Sequence, residues 1–224
     1  MTFCNHIRRM GTNSSLKAFK QPSILLNNKI QVYIDLSFEE FHNSVNLKSL
    51  CSQIRIGINE INKDNQNCLN VSICSLNKAP RTEELLIQQG LKSWKKNDDR
   101  LVYENVIYDS IFDSIDKDEK ENNLIYLTPD STNDLKELDP NHIYILGGLV
   151  DKPCESNLTL KHAKKHGISC YSLPIHSNGF KINPDYNLNI NTCLSLLNAV
   201  AKGMDWKTAL SVFIPKRRLQ GLST

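Results

Sequence analysis

The sequence has no run of about 18 uncharged apolar residues, so we expect no segment that spans a membrane. It has no CxxC pair and no secretory hydrophobic region near its start, and its seven cysteines are an odd number. We therefore expect reduced, intracellular thiols, most of them buried, rather than disulfides. The 224 residues, 40% of them hydrophobic, are enough for one compact domain that folds alone.

Several sequence motifs of common enzyme classes are also missing. The chain contains no Gly-x-Gly-x-x-Gly string, no P-loop and no Gly-x-Ser-x-Gly elbow. A Rossmann dinucleotide site and a nucleotide triphosphatase therefore lack their phosphate-binding loops, and a serine hydrolase lacks its nucleophile.

Acidic residues are absent from residues 1–34, although Lys+Arg 27 against Asp+Glu 24 leaves a net charge of only +3. The acid-free segment carries arginine, lysine and serine. It is typical of a mitochondrial presequence or of a basic arm for nucleic acid, and a polar N-terminal stretch without further function is an equal alternative. The low total charge permits a polyanionic partner without requiring one.

Short apolar runs alternate with helical periods along the rest of the chain. The runs predict strands at 31–36, 69–76, 124–127, 142–146 and 168–173. The periods predict helices from a Ser37–Glu40 capping box to about Ile61, at 82–96, from 130 or 131 to 138, and at 159–166, 191–201 and 206–213, the last capped by Asp205. Residues 113–123 are expected to form a solvated loop. Strands that alternate with helices indicate an α/β fold with a parallel sheet covered on both faces.

Parallel sheets bind ligands at the carboxyl ends of their strands, which directs attention to the loops after Leu127, Leu146 and Leu173. After Leu146, Gly147-Gly148 lets backbone approach a flat ligand, and the same loop delivers Asp151. A plain turn with a solvent-facing aspartate remains the alternative.

Two basic clusters are candidates for phosphate contact. Lys161, Lys164 and Lys165 lie with two histidines on one predicted helix, and Lys216-Arg217-Arg218 follows Pro215. The helix either faces phosphate or is simply solvated, and the second cluster can equally be a localisation signal or a soluble tail. We expect no metal site, because the neighbouring lysines oppose a divalent cation and the helix lacks the glutamate of a zinc protease.

Five motifs in order resemble the tRNA (guanine-9) N1-methyltransferase family of the SPOUT superfamily. They are Tyr126-Leu127-Thr128-Pro129-Asp130-Ser131, Tyr144-Ile145-Leu146-Gly147-Gly148-Leu149-Val150-Asp151, Leu173-Pro174-Ile175, Asp205-Trp206-Lys207 and Ile214-Pro215-Lys216-Arg217-Arg218. The resemblance implies a parallel sheet with a C-terminal trefoil knot. It divides the chain into an N-terminal arm or presequence at 1–30, a SPOUT methyltransferase domain at 31–218 and a tail at 219–224.

The resemblance also implies a site for S-adenosyl-L-methionine. Its cofactor-binding residues would be Leu127, Thr128, Gly147, Gly148, Lys152, Leu173, Leu188 and Asn189. At Gly148, a side chain would collide with the cofactor. Asp35 and Gln53 match polar positions near the target guanine, and Asp151 matches the proposed general base. An ordinary aspartate, with a pKa of about 3.9, is a weak base for guanine N1, so Asp151 needs desolvation or a nearby cation such as Lys152.

Two functions follow from the resemblance, and a third hypothesis, a catalytically silent RNA-binding scaffold, is disfavoured because Gly148 and Asp151 are both present. The first is an autonomous enzyme that methylates purine nine of tRNA, in the cytosol or nucleus. The second is the methyltransferase subunit of a protein-only mitochondrial RNase P, which would work with a short-chain dehydrogenase and a separate nuclease. The acid-free N-terminus favours the second and a mitochondrial location, and the resemblance implies a monomer when the chain is alone.

Overall fold

The computed structural model describes residues 29–90, 94–97, 100–103, 106–107, 109–114, 123–150, 157–182, 187–215 and 219–220. The strands are β1 Ile30–Asp35, β2 Leu69–Cys74, β3 Trp94–Asn97, β4 Arg100–Tyr103, β5 Val106–Ile107, β6 Leu124–Leu127, β7 Ile143–Gly147, β8 Ser169–Tyr171, β9 Lys181–Ile182 and β10 Leu219–Gln220. The α-helices are α1 Ser44–Lys63, α2 Pro80–Gln88, α3 Ile111–Ser114, α4 Leu158–Lys165, α5 Ile190–Ala201 and α6 Trp206–Phe213. Short 3-10 turns lie at Glu39–Phe41 and Leu76–Lys78.

Six strands form one sheet in the order β5-β2-β1-β7-β6-β8, and every pair in it is parallel. This arrangement confirms the predicted α/β class. The strands β3 and β4 form a separate antiparallel pair, as do β9 and β10. In the part of the chain that the structure describes, no helix has the length and apolarity that crossing a bilayer requires.

Alternate residues of the central strands face two hydrophobic cores. In β1, Val32 and Ile34 pack into the larger core, while Tyr33 packs into the smaller one. The larger core also contains side chains of α1, α2, α5 and α6, whereas the smaller one contains side chains of α3 and α4. Helices therefore cover both faces of the sheet, as a parallel sheet requires.

The predicted capping box at Ser37 is wrong. The hydroxyl of Ser37 donates to Oδ1 of Asp35 at 2.7 Å, and only a 3-10 turn follows it. The helix begins at Ser44, where the Asn43 side chain accepts from the N–H of Asn46 at 2.8 Å. A carboxylate two residues upstream is the better acceptor for the serine hydroxyl, so the serine closes a local turn instead of capping a helix.

Three further boundaries differ from the sequence prediction. The helix α1 continues to Lys63, two residues past the predicted end near Ile61. The helix α2 ends at Gln88 rather than near 96, because Gly90 adopts a positive φ of 66° and the chain then enters β3. No helix covers 130–138. There, Leu135 donates to the carbonyl of Ser172 at 2.8 Å, so this segment runs beside the end of β8.

Candidate active site

The predicted cofactor loops follow three neighbouring strands. Leu127 ends β6, Gly147 ends β7, and Leu173 comes two residues after β8. Because β7, β6 and β8 are adjacent and parallel, these loops leave the sheet at one edge. Leu188 comes from a fourth segment and packs against the same hydrophobic core as Leu127 and Leu173. Three of the predicted positions, Leu127, Leu173 and Leu188, therefore border one hydrophobic core, and Gly147 ends the strand next to β6.

Thr128 connects the β6 loop to its neighbours. Its backbone N–H donates to the carbonyl of Tyr171 at 2.9 Å, and its side chain forms a 2.7 Å hydrogen bond with the hydroxyl of Thr159. Thr128 is only 2% exposed. Its hydroxyl and its N–H thus join β6 to α4 and to β8, which leaves the residues after Thr128 available to a ligand at this edge.

Close backbone packing explains the two glycines. A Cβ at Gly148 would lie 2.8 Å from the backbone oxygen of Asp35, to which the Gly148 N–H donates at 2.8 Å. A Cβ at Gly147 would lie 2.6 Å from Cγ2 of Thr159 and 3.2 Å from the Tyr126 hydroxyl. The resemblance implies that a side chain at position 148 would collide with the cofactor. The structure adds a reason within the protein itself, since the β7 loop lies directly against the end of β1.

Asp35 is fully buried at the end of β1. Its carboxylate accepts from the backbone N–H and hydroxyl of Ser37 and from the hydroxyl of Tyr126 at 3.1 Å. Burial alone raises the pKa of the Asp35 carboxyl. Contacts from His162, Ser37 and Ser75 outweigh that effect and hold the pKa below its ordinary value. The predicted substrate residue therefore serves here as a buried anion that joins β1 to β6.

His162 lies beside that anion, among aromatic rings. Its Nε2 is 3.4 Å from Oδ2 of Asp35, too poorly aligned for a hydrogen bond but within ion-pair distance when the imidazole is protonated. The rings of Phe38 and Phe112 meet it edge-on, at centroid distances of 5.1 and 5.2 Å. The histidine that the sequence grouped with the phosphate-facing lysines is thus turned toward the interior of the protein.

Gln53 lies on α1 and contacts the start of α5. Its Oε1 accepts from the backbone N–H of Ile190 at 3.0 Å, and its Nε2 donates to Ser49. Asn189 precedes this helix and is exposed, with no side-chain capping bond of its own. Gln53 supplies the missing acceptor, so a predicted substrate residue holds the segment that contains Leu188 and Asn189.

Sequence reasoning missed His42. This buried histidine lies after the 3-10 turn, and its Nε2 accepts from the backbone N–H of Val150 at 3.1 Å. Its partner is 108 positions away in the chain. No local pattern marks a single histidine whose function depends on such a distant contact.

The remaining predicted residues divide into two groups. Lys161, Lys164 and Lys165 are exposed on α4, as a phosphate-contacting surface requires. The residues outside the described part of the chain are Asp151, Lys152, Lys216, Arg217 and Arg218.

A parallel sheet covered by helices on both faces defines an α/β protein, a class in which ligands bind at the carboxyl ends of the strands. A family model, tRNA (guanine(9)-N(1))-methyltransferase TRM10/TRM10A, matches residues 5–219. The chain belongs to this family, which confirms the resemblance stated from the motifs.

Individual relatives agree. The tRNA (guanine(9)-N1)-methyltransferase of Schizosaccharomyces pombe is 28% identical over 193 residues, which cover 84% of this chain and 59% of the relative. The human tRNA methyltransferase 10 homolog A is 38% identical over 99 residues, covering 44% of this chain and 29% of the relative. The chain thus spans less than two thirds of the length of these relatives.

Solved structures show the same fold. The crystal structure of spTrm10(74) superposes with a TM-score of 0.68 at 26% identity, covering 85% of this chain and 96% of the other. A complex described as spTrm10(Full length)-SAH superposes with a TM-score of 0.65 at 25% identity, covering 85% and 99%.

Proposed function

We propose that this protein is an S-adenosylmethionine-dependent tRNA methyltransferase that forms N1-methylguanosine at position nine. The observation that carries the proposal is the Gly147–Gly148 loop, which lies at the sheet's carboxyl edge beside the Thr128 loop in a chain that belongs to this family. The same resemblance supports a trefoil knot formed by the C-terminal segment, which includes α6.

The described residues fit a cofactor of this chemistry. Leu127, Leu173 and Leu188 come from separate segments yet pack against one core. Apolar walls with a few polar backbone groups suit an adenosine and a thioether chain. The structure of one relative is described as a complex with SAH, the demethylated product of that cofactor.

When bound, S-adenosylmethionine supplies an electrophilic methyl group. The protein must then hold guanine N1 in line with that methyl group and remove its proton. Asp151 is the proposed base, with Lys152 as the cation that stabilises negative charge on the guanine. The rest of the site contributes positioning, which is worth several orders of magnitude in rate. The hydrogen bonds of Gly148 to Asp35 and of Val150 to His42 fix the loop that leads into Asp151.

The test is methyl transfer by the purified chain to an unmodified tRNA transcript. We expect methylation of a transcript with guanine at position nine and none when cytidine replaces it. Asp151→Asn is expected to lower the single-turnover rate while leaving the affinity for S-adenosylhomocysteine unchanged. An unchanged rate would refute the role of Asp151. Failure of the wild-type chain to methylate the guanine transcript, with or without a dehydrogenase, would refute the function.

The partner-dependent alternative is tested in the same assay. We propose that the lone chain is active, and methylation that required an added dehydrogenase would favour the RNase P subunit instead.

A mitochondrial location is a separate proposal that depends on the acid-free residues 1–34. Microscopy of cells that express the chain with a C-terminal fluorescent tag tests it, and a cytosolic or nuclear signal would contradict it.

A further inference from the structure

A cavity of about 230 Å³ lies between the turn after β1 and the helix α4. Phe38 and Phe41 line it from the turn, Lys161, His162 and Lys165 line it from the helix, and Glu40 lies beside the two phenylalanines. We call it the Phe41 cavity. It is smaller than the roughly 300 Å³ at which sites for drug-sized ligands begin, so a single nucleotide suits it better than a whole cofactor.

The two walls of the Phe41 cavity differ in chemistry. The helix presents two exposed lysines one turn apart, Lys161 and Lys165. The turn presents Phe41, which is 39% exposed although it is a large apolar side chain, and whose ring lies 6.5 Å from that of Phe38. An aromatic face opposite cations is the combination that binds single-stranded nucleic acid, with bases stacked on the ring and phosphates at the lysines.

The cavity adjoins the candidate active site. His162 lines the cavity and also lies 3.4 Å from the carboxylate of Asp35, whose backbone oxygen accepts from Gly148. Phe41 is followed directly by His42, which accepts from Val150. A nucleotide in the Phe41 cavity would therefore lie beside residues that contact the loop leading to Asp151.

We propose that the Phe41 cavity binds one unstacked nucleotide of the tRNA substrate, a neighbour of the methylated purine. Its phosphate lies at Lys161 and Lys165, its base packs on Phe41, and the Glu40 carboxylate accepts from an amino group on the base edge. This inference builds on the proposed function. It divides the three lysines that the sequence grouped together, because Lys164 is on the same helix but does not line the cavity.

Two matched pairs of variants test the proposal on the full chain. Lys165→Gln and Lys164→Gln each remove one charge from α4, but only the first changes the cavity. Phe41→Tyr keeps an aromatic face, whereas Phe41→Leu keeps apolar bulk without one. The measurements are the Kd for unmodified tRNA across a salt series and the Kd for S-adenosylhomocysteine, with melting temperatures to verify folding.

Because the Phe41→Leu variant loses the stacked base, we expect its Kd for tRNA to rise about tenfold. The Phe41→Tyr variant should bind tRNA like wild type. Lys165→Gln should reduce the slope of log Kd against log salt concentration by about the amount that one phosphate contact contributes. Lys164→Gln should reduce that slope by clearly less. The affinity for S-adenosylhomocysteine should not change in any variant.

Equal effects of Lys165→Gln and Lys164→Gln on the Kd and its salt dependence, or wild-type binding by Phe41→Leu, would overturn the proposal in favour of a general electrostatic surface. These outcomes are separate from those that test the proposed function. A wild-type chain that bound tRNA without methylating it would refute the activity, and the variants would still decide what the cavity binds.

Discussion

The imidazole Nε2 of His42 accepts a hydrogen bond from the backbone N–H of Val150 at 3.1 Å. Its Nδ1 lies 2.9 Å from the carbonyl oxygen of Phe38. A carbonyl can only accept, so we assign the ring proton to Nδ1 and the lone pair to Nε2. The neutral ring thereby connects the turn after β1 to the loop after β7. Because Val150 immediately precedes Asp151 in the sequence, His42 is a positioning residue for the proposed base.

Two substitutions separate this role of His42 from simple packing. Glutamine can place an acceptor near the position of Nε2, whereas asparagine is too short to reach Val150. We expect His42→Asn to lower kcat by roughly 10²-fold, the cost of a misplaced reacting group, and His42→Gln to keep most of the activity. Affinity for S-adenosylhomocysteine should be unchanged in both. Equal losses of kcat with equally lowered melting temperatures would show that the ring matters only for folding.

Gln53 offers a second prediction, on cofactor affinity. Gln53→Ala removes the acceptor for the first N–H of α5, which should lower the free energy of unfolding by about 1 kcal/mol. It should also weaken binding of S-adenosylhomocysteine, since Leu188 and Asn189 lead into that helix. Gln53→Glu keeps the acceptor and adds a charge that suits a helix N-terminus, so it should bind normally.

Urea unfolding and calorimetric titration measure these two effects of Gln53. Ser49→Ala is the control, because it removes only the other partner of the Gln53 side chain. Wild-type affinity in Gln53→Ala would show that the segment at Leu188 keeps its position without this bond.

The sheet was largely predictable because its strands are short apolar runs, and burial on both faces leaves that signal in the sequence. All five predicted strands lie within two residues of the observed bounds at both ends. Hairpin strands β3 and β4 have no such signal, since WKKN and RLVY carry several charges. The sequence predicts a helix through this region because the prediction continues past Gly90, where a positive φ ends α2.

The site was predictable only in part. Strand-end position and the resemblance identified Thr128, Gly147 and Gly148. Some of the contacts that hold the site segments join residues more than a hundred positions apart, as in Gln53 with Ile190 and His42 with Val150. Such contacts depend on how the strands are ordered in the sheet, which periodicity does not reveal.

The two glycines of the β7 loop should respond differently to alanine. At Gly147 the nearest atom to a new Cβ is the Thr159 methyl carbon, which Thr159→Ser removes while keeping the hydroxyl that bonds Thr128. We expect Gly147→Ala to lower the free energy of unfolding by about 1–3 kcal/mol and Thr159→Ser to restore part of that loss. At Gly148 the nearest atom is the Asp35 backbone oxygen, so Gly148→Ala should be destabilising with or without Thr159→Ser.

A double-mutant cycle by urea unfolding measures this difference between the glycines. Coupling of Thr159→Ser to Gly147→Ala but not to Gly148→Ala is the expected result. If Thr159→Ser and Gly147→Ala show no coupling, the Thr159 methyl group moves aside in Gly147→Ala without lowering the free energy of unfolding.

Asp35 should make the stability of the protein sensitive to acid. Its carboxyl has a pKa below the ordinary value in the folded state, since contacts from His162, Ser37 and Ser75 outweigh the raising effect of burial. The unfolded chain, in which an aspartate titrates near about 3.9, therefore binds the proton more readily. The stabilisation is fully present above that pH and is lost as the pH falls through it toward the lower pKa of the folded state.

Asp35→Asn isolates this contribution, because other carboxylates with lowered pKa, such as Glu39, are present in both proteins. At pH 7 the variant should be less stable by about 1–3 kcal/mol, the cost of weakened hydrogen bonds to a buried charged group. The difference between the two proteins should shrink as the pH falls below about 4. Urea unfolding between pH 7 and 3.5 measures it, with Glu137→Gln as an exposed-carboxylate control. A difference that stayed constant over this range would show that Asp35 stabilises the fold through shape and hydrogen bonding, without a contribution from its charge.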